Sequence, residues 1–257
     1  MQREEESSAK GGEGDMQRWW LLLLVMITIW TGSGLPVTSN QYLADPLSLL
    51  FQMEKRYQTV EDYTAILKSQ ERIEGRLKPE STIAIKFKKP FMVYMKWLDG
   101  PHKGREVLYV EGKNDNKLLV QTHKWYQFFP LSLDPYGSMA MEGNRHPITD
   151  IGIGRLIQLL TTNFRQAQAN GEVQIVEASP DTIFQRPAYK IEARFPAGKY
   201  YAPRVILHID QEYLLPIQVT VFDEADQMVE KYGYTNLRLN VGLTEHDFDK
   251  ENKDYGF

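Results

Sequence analysis

The chain has 257 residues, of which 42% are hydrophobic and 25% are charged, with a formal net charge of -4 and no cysteine. This composition excludes global disorder, and the length allows one or two domains with a sizeable core. The lack of cysteine excludes a disulfide scaffold, a thiol nucleophile, Cys-ligated zinc, iron–sulfur chemistry and a lipid-anchoring cysteine. The slightly acidic balance argues against a dedicated nucleic-acid-binding protein, which carries a basic stripe.

The N-terminal part of the chain differs from the rest. Residues 1–15 are polar and acidic, so we predict a disordered leader, with Met16 as an alternative start of translation. Arg18 precedes the apolar run WWLLLLVMITIW, and small polar residues follow it. This order is typical of a secretory signal peptide, and the run is too short for a comfortable transmembrane helix. We therefore predict a signal peptide over residues 16–39, or an uncleaved anchor as its alternative, and a single domain over residues 40–257.

The domain is predicted to begin with a helix and continue with strands. Asp45-Pro46 places a capping residue before a proline at the first helical position. Apolar residues then recur near helical spacing, at Leu47, Leu50, Phe51, Tyr57 and Val60. Beyond Asp62 the hydrophobic period changes to two, and turn residues separate five strand-like segments in an antiparallel meander: DYTAILKSQERIEG, TIAIKFKK, FMVYMKWL, REVLYVEG and NKLLVQT.

The middle of the chain is predicted to cover the sheet. Residues 124–152 are rich in proline, glycine and methionine, which favours a covering loop. Asp150 or Thr149 is the predicted cap of a following helix, which ends before Gly171. Its apolar side carries Ile153, Leu156, Ile157, Leu160 and Phe164. Five more strand-like segments follow, so we predict an α+β domain in which two helices pack on one large, curved antiparallel sheet.

Three segments carry a family resemblance: VYMKWLDGPHKGREVLYVEGKNDNKLLV, RHPITDIGIGRLIQLL and NVGLTEHDFDKENKDYGF. They resemble the bacterial domain-of-unknown-function 1571 family of exported proteins. The order of elements and the ending LPIQVTVFDEADQMVEKYGYTNLRLN are more distantly similar to the periplasmic LolA/LolB lipoprotein carriers and the RseB sensor domain. The resemblance implies a half-open β-barrel with helices covering its concave face, where relatives hold acyl chains or bind lipidated partners. It brings no catalytic residues.

Strand alternation predicts an apolar sheet face that is a candidate ligand-binding surface. Side chains two apart on a strand share a face, which groups Phe91, Val93, Met95 and Trp97 on one strand and Ile83, Ile85 and Phe87 on its neighbour. This pattern fits either a lipid cavity or an ordinary core between sheet and helices. The apolar loop residues Trp125, Phe128 and Phe129 are predicted to form a lid or a membrane-contacting lip, or else a strand entering the core.

The sequence contains little evidence for a catalytic or metal site. A hydrolase would need His146 as a base oriented by Asp150, but no G-x-S-x-G nucleophile motif accompanies them. The histidines lack zinc-site spacing, so no metal or cofactor is predicted. We expect Arg145 to pair with a carboxylate. Lys86, Lys88 and Lys89 are interpreted as the protection of an edge strand.

These observations lead to three hypotheses for function. The first is a non-enzymatic periplasmic or secreted protein that binds a hydrophobic or lipidated ligand in the half-barrel cavity. The second is an envelope protein-interaction or sensor module with the same fold. The third is an envelope hydrolase. All three predict no nucleic-acid partner and, after signal cleavage, no stable membrane span.

Overall fold

The structure, a computed structural model, describes residues 39–122 and 129–257. The predicted leader and most of the predicted signal peptide lie outside these residues, as do Trp125 and Phe128. Four α-helices and four short 3-10 turns are found in the described residues. The helices are α1 (Ser39–Ala44), α2 (Pro46–Gln58), α3 (Ser138–Met141) and α4 (Ile153–Ala169), and the 3-10 turns are Gly100–His102, Asn114–Asn116, Ile148–Asp150 and Glu245–Phe248.

The same residues form twelve strands in one sheet. Their bounds are β1 (Asp62–Ile73), β2 (Arg76–Leu77), β3 (Ser81–Lys88), β4 (Met92–Trp97), β5 (Glu106–Val110), β6 (Leu118–Gln121), β7 (Leu131–Leu133), β8 (Gln174–Ile183), β9 (Arg186–Arg194), β10 (Arg204–Asp210), β11 (Pro216–Phe222) and β12 (Met228–Leu239). The strand order is β7-β6-β5-β4-β3-β1-β12-β11-β10-β9-β8, with β2 paired to β1 off this path, and every pairing is antiparallel. The predicted large antiparallel sheet is therefore confirmed.

Strand β3 is an interior strand of this sheet. It lies between β1 and β4, so the interpretation of its lysines as edge protection is wrong. Lys86 instead pairs with Asp247, with Nζ and Oδ1 2.9 Å apart. Asp247 is 161 residues away in sequence, and the tail that carries it packs behind the sheet. The basic residue serves a long-range contact that strand alternation does not reveal.

Helix α2 begins where the sequence predicts it. The Asp45 side chain accepts a hydrogen bond from the Ser48 backbone N–H at 3.2 Å, and Pro46 occupies the first helical position. This cap satisfies one of the N–H groups that a helix start leaves without a partner. The helix buries Leu49, Leu50 and Met53 against the sheet.

Helix α4 has the predicted apolar side but a different cap. Ile153, Ile157, Leu160 and Phe164 are buried in the main core. The predicted caps Asp150 and Thr149 lie in the 3-10 turn Ile148–Asp150, two and three residues before the N-cap, and neither side chain caps the helix. The N-cap is Gly152, whose φ of 105° is a conformation that L side chains rarely adopt.

Two apolar clusters lie on opposite faces of the sheet. The larger one joins the sheet to α2 and α4, and we call this side of the sheet the inner face. The smaller cluster lies on the outer face and contains Tyr94, Leu108 and Phe248. Tyr255 stacks on Tyr94 there, with ring centroids 3.8 Å apart. The acidic C-terminal tail is thus a packed strap across β4 and β5.

No helix among the described residues is long and apolar enough to cross a membrane.

Candidate functional site

Cross-strand rows of side chains organise the inner face. The register places Ile85 opposite Met95, Met95 opposite Val107, Val107 opposite Val120 and Val120 opposite Leu131. Residues directly opposite each other in antiparallel strands lie on the same face, with Cβ atoms about 5 Å apart. These five residues, which we call the apolar row, form a continuous band across β3 to β7.

A large cavity lies over this face. Its volume is about 1080 Å³, and its walls come from the sheet, from α4 and from the segment between residues 131 and 152. Val107 of β5 and Val205 of β10 both line it, although six strand steps separate these two strands. In a flat sheet those strands would be roughly 29 Å apart at about 4.8 Å per step. Their shared cavity shows that the sheet curves around it.

The predicted apolar face divides into two groups. Met95, Trp97 and Ile83 line the cavity. The others are buried core residues at most 7% exposed, which belong to the packing beneath the helices: Ile85, Phe87, Phe91 and Val93. Strand alternation identified the face correctly but gives no information on where a helix covers it. Which of these residues bind a ligand stays a prediction.

The aromatic loop is described only at its end. Phe129 is 80% exposed, so it does not enter the core, whereas Trp125 and Phe128 lie outside the described residues. Tyr136 and Met139, farther along the same segment, are also largely exposed. The segment therefore carries apolar side chains on its solvent side as well as a wall of the cavity.

Polarity increases along the strands toward one end of the cavity. Leu67 lies opposite Ile83 and Tyr234, the next inward residue Ser69 lies opposite Ser81 and Tyr232, and Glu71 lies opposite Glu230. All of these residues except the glutamate pair are uncharged, and all line the cavity. Because consecutive inward residues are roughly 6.6 Å apart, the wall changes from apolar to charged over about 13 Å.

A network of ionised and hydroxyl groups forms the charged end. Glu230 has a side chain only 3% exposed, and its Oε2 lies 3.0 Å from Nε of Arg145 and 2.9 Å from Nε2 of His146. The Tyr201 hydroxyl donates to the other Glu230 oxygen, and the Tyr232 hydroxyl donates to Glu71. The expected pairing of Arg145 with a carboxylate is confirmed.

Burial and pairing act in opposite directions on this network. Burial would raise the pKa of Glu230, but hydrogen bonds from His146 and Tyr201 and the charge of Arg145 outweigh it and lower that pKa. The hydrogen bond to Glu230 raises the pKa of His146 against the effect of burial. Both shifts favour a charged pair that joins the covering segment to β12.

The catalytic dyad considered for a hydrolase does not form. His146 contacts Glu230 and the Tyr201 hydroxyl, 3.1 Å away, and Asp150 is not its partner. No serine or threonine hydroxyl in the described part of the chain donates to His146. The described residues also contain no group of three His, Asp or Glu side chains placed to hold a metal ion.

Several cavity residues were missed by reasoning from the sequence. Glu230, Tyr232 and Tyr201 come from segments whose strand pattern looked ordinary, and only the pairing of β1 with β12 brings the first two to the cavity. Leu156 and Leu159 of α4 also line it. The helical periodicity placed Leu156 on the apolar side, which was a usable signal for that residue.

Comparison with known proteins places the chain in a family. The family model described as "Protein of unknown function (DUF1571)" matches residues 60–257. The chain belongs to the DUF1571 family. The match covers every strand of the DUF1571 sheet together with α4 and the C-terminal strap. No curated protein matches the chain in sequence.

Solved structures similar to this DUF1571 chain have low sequence identity to it. The lipoprotein LppX of Mycobacterium tuberculosis is 13% identical, with 80% of this chain and 100% of LppX covered and a TM-score of 0.48. A LolA superfamily protein of Nitrosomonas europaea is 11% identical, with coverages of 79% and 96% and a TM-score of 0.34. MucB in the Pseudomonas aeruginosa MucA/MucB complex is 14% identical, with coverages of 80% and 60% and a TM-score of 0.46.

Proposed function

We propose that this DUF1571 domain is a non-enzymatic binding protein that holds a hydrophobic or lipidated ligand in the inner-face cavity. The observation that carries the proposal is the cavity of about 1080 Å³, which is lined by every residue of the apolar row except Ile85. This volume is just above the usual range of roughly 300 to 1,000 Å³ for small-molecule sites. Each methylene of an acyl chain transferred from water to such a wall contributes roughly 0.8 kcal/mol.

We further propose that the protein acts outside the cytoplasm. The support is the order of Arg18, the apolar run at residues 19–30 and the small polar stretch after it. Cleavage after this stretch would release a periplasmic or secreted domain, and an uncleaved run would retain it at the membrane. N-terminal sequencing of protein recovered from the envelope fraction tests this part of the proposal.

A cavity-filling variant tests the binding role. Leu159 is half-buried and lines the cavity from α4, so Leu159→Trp inserts an indole where the ligand would lie. The control is Gln166→Trp, which places the same ring on the exposed side of that helix. With a fluorescent fatty-acid methyl ester as the probe, we expect Leu159→Trp to weaken binding at least tenfold and Gln166→Trp to leave it unchanged. Equal affinity in both variants would contradict the proposal.

A second function, docking to another envelope protein, is favoured by the exposed apolar side chains of the covering segment. Phe129, Tyr136 and Met139 are each more than 60% exposed. All three belong to one segment of the chain, and exposed apolar patches are typical of an interaction site. Native mass spectrometry of protein extracted from membranes discriminates the two functions. A bound lipid mass supports the carrier, and a lipid-free protein that captures a partner only with these side chains intact supports the docking module.

A further inference from the structure

The cavity wall contains two arginines, Arg105 and Arg155, and Arg105 is the less exposed of the two. Arg105 lies just before β5, and its guanidinium carbon is 5.6 Å from the centre of the Trp97 ring. Nη2 lies 2.8 Å from Nδ1 of His102. Arg105, Trp97 and His102 all line the cavity. These contacts place the guanidinium beside an indole and engage one of its terminal nitrogens.

The charge of Arg105 has no close carboxylate within residues 39–122 and 129–257. Its Nε is buried and makes no hydrogen bond there. Glu142 of the covering segment influences it only through space, and burial lowers the pKa of Arg105 despite that influence. Arg155 also has no ion pair among the described residues, but its side chain is exposed and its Nη1 donates to Oε1 of Gln158 at 3.0 Å. A buried donor without an acceptor costs free energy, so the structure does not compensate the charge of Arg105 through this nitrogen.

The position of Arg105 relative to the apolar row gives the second step. Arg105, just before β5, is two residues from Val107 of that strand, and Trp97 is two residues from Met95 on the neighbouring strand β4. The Cα atom of Arg105 therefore lies two residues along the strand direction, roughly 6.6 Å, beyond the apolar row. An extended chain that starts at Arg105 passes over Trp97 and then over Val107 and Met95. This is the arrangement that an amphiphile with one charged end requires.

We propose that Arg105 is a head-group site, which binds the carboxylate or phosphate of an amphiphile whose acyl chain lies along the apolar row. This inference rests on the proposed binding function and adds the charge of the ligand to it. The planar guanidinium offers two parallel N–H donors to either oxyanion. The ligand class is thus an anionic single- or multi-chain lipid rather than a neutral one.

The experiment compares two probes that have the same acyl chain but different head groups, one charged and one neutral. A fluorescent fatty acid and its methyl ester are titrated into the full domain and into Arg105→Gln. We expect the wild-type protein to bind the acid at least tenfold more tightly than the ester, because a hydrogen bond to a charged group contributes that much discrimination. In Arg105→Gln the affinity for the acid should fall to that for the ester. The affinity for the ester should stay unchanged, and this result also shows that the variant is folded.

Matched variants separate local recognition from general charge. Lys103→Gln removes one exposed positive charge from the same hairpin and should leave both affinities unchanged. Glu142→Gln removes the competing carboxylate and should strengthen binding of the acid alone. Arg105→Lys keeps the positive charge but loses the two parallel N–H donors of the guanidinium. Its affinity for the acid should lie between those of the wild type and Arg105→Gln. An equal loss of acid binding in Lys103→Gln and Arg105→Gln would overturn the assignment.

The two proposals fail in different ways in this experiment. If the ester binds and the acid binds no more tightly, the head-group site is wrong and the binding cavity stands. If neither binds, both are wrong.

Acetate and inorganic phosphate supply the anion without the acyl chain, and we expect neither to displace the bound acid at millimolar concentration. Displacement by either one, with the ester still bound, would identify a small-anion site and overturn the assignment to an amphiphile. A fatty alkyl phosphate in place of the fatty acid shows which oxyanion the site prefers.

Discussion

The hydroxyl of Tyr63 accepts a hydrogen bond from the backbone N–H of Ile153 at 3.1 Å, which ties the central strand β1 to the first turn of the helix over the cavity. The ring of Tyr57 from α2 lies beside Gly154 at the same helix end. The Tyr63 hydroxyl thus takes the place of the usual side-chain cap of α4. This end of the helix is fixed to the sheet.

Removing the Tyr63 hydroxyl should therefore destabilise the domain. In Tyr63→Phe the ring keeps its stacking on Phe87, but the Ile153 N–H loses its acceptor in a fully buried place. We expect a loss of about 1 to 2 kcal/mol in the free energy of unfolding, measured by urea denaturation. Tyr213→Phe is the control, because it keeps the ring over which Arg186 lies. Equal changes in the two variants would contradict a capping role.

The close approach of Tyr57 to α4 makes a second prediction with an unusual sign. Replacing glycine by alanine inside a helix normally stabilises it by about 1 kcal/mol. At Gly154, however, an added Cβ would lie 2.7 Å from the Tyr57 hydroxyl oxygen and even closer to its ring. We expect Gly154→Ala to destabilise the domain by about 1 to 3 kcal/mol in urea denaturation.

A double-mutant cycle checks that the ring is the cause. Tyr57→Leu removes the ring that meets the new methyl group, so Gly154→Ala should cost less in the Tyr57→Leu background than in the wild type. Additive effects would show that the loss comes from the helix itself and not from the contact with Tyr57.

The start of α4 also shows what local sequence patterns can and cannot predict. The apolar side of the helix followed from its periodicity, since Ile153, Ile157 and Phe164 are indeed buried. The cap did not follow, because Tyr63 is 90 residues away and only the fold brings its hydroxyl to Ile153. Asp150 has a side chain that can cap a helix and lies close to the start of α4. The cap is nevertheless a long-range contact, which cannot be predicted from the residues near the helix in sequence.

The candidate site shows the same division. Alternation on β3 and β4 was enough to group Ile83, Met95 and Trp97 on one face, which is the face that lines the cavity. The charged end was not predictable, because Glu71 and Glu230 meet only through the pairing of β1 with β12. Sequence patterns specify faces of single elements, and the pairing of distant elements specifies the site.

The ion pair between His146 and Glu230 predicts how stability depends on pH. The pKa of His146 is raised from its ordinary value of 6.5, so its contribution is fully present below that value and is lost as the pH rises through the raised pKa. The pKa of Glu230 is lowered from 4.5, so its contribution is present above 4.5 and is lost as the pH falls through the lowered pKa. The pair therefore stabilises the fold most between 4.5 and 6.5.

Urea denaturation at a series of pH values checks this prediction. The free energy of unfolding of the wild type should decrease as the pH rises above 6.5, relative to that of His146→Asn, because the variant has no proton to lose at this position. The comparison also removes the opposite effect of His208, whose pKa burial lowers, since both proteins contain it. Parallel pH curves for the two proteins would show that His146 is not coupled to folding.

The C-terminal strap depends on one carboxylate at the start of β1. Asp62 is buried, and its two oxygens accept hydrogen bonds from the backbone N–H groups of Val241 at 2.7 Å, Gly242 at 3.2 Å and Leu243 at 3.1 Å. Because the chain turns there from β12 to the outer face, we expect Asp62→Ala to destabilise the domain by about 3 kcal/mol. It should also expose residues 241–257 to limited proteolysis before the rest of the domain is cut. Asp254→Asn, an exposed change in the strap itself, should affect neither measurement, and a strap equally resistant in Asp62→Ala would show that the aromatic stacking on Tyr94 alone holds it.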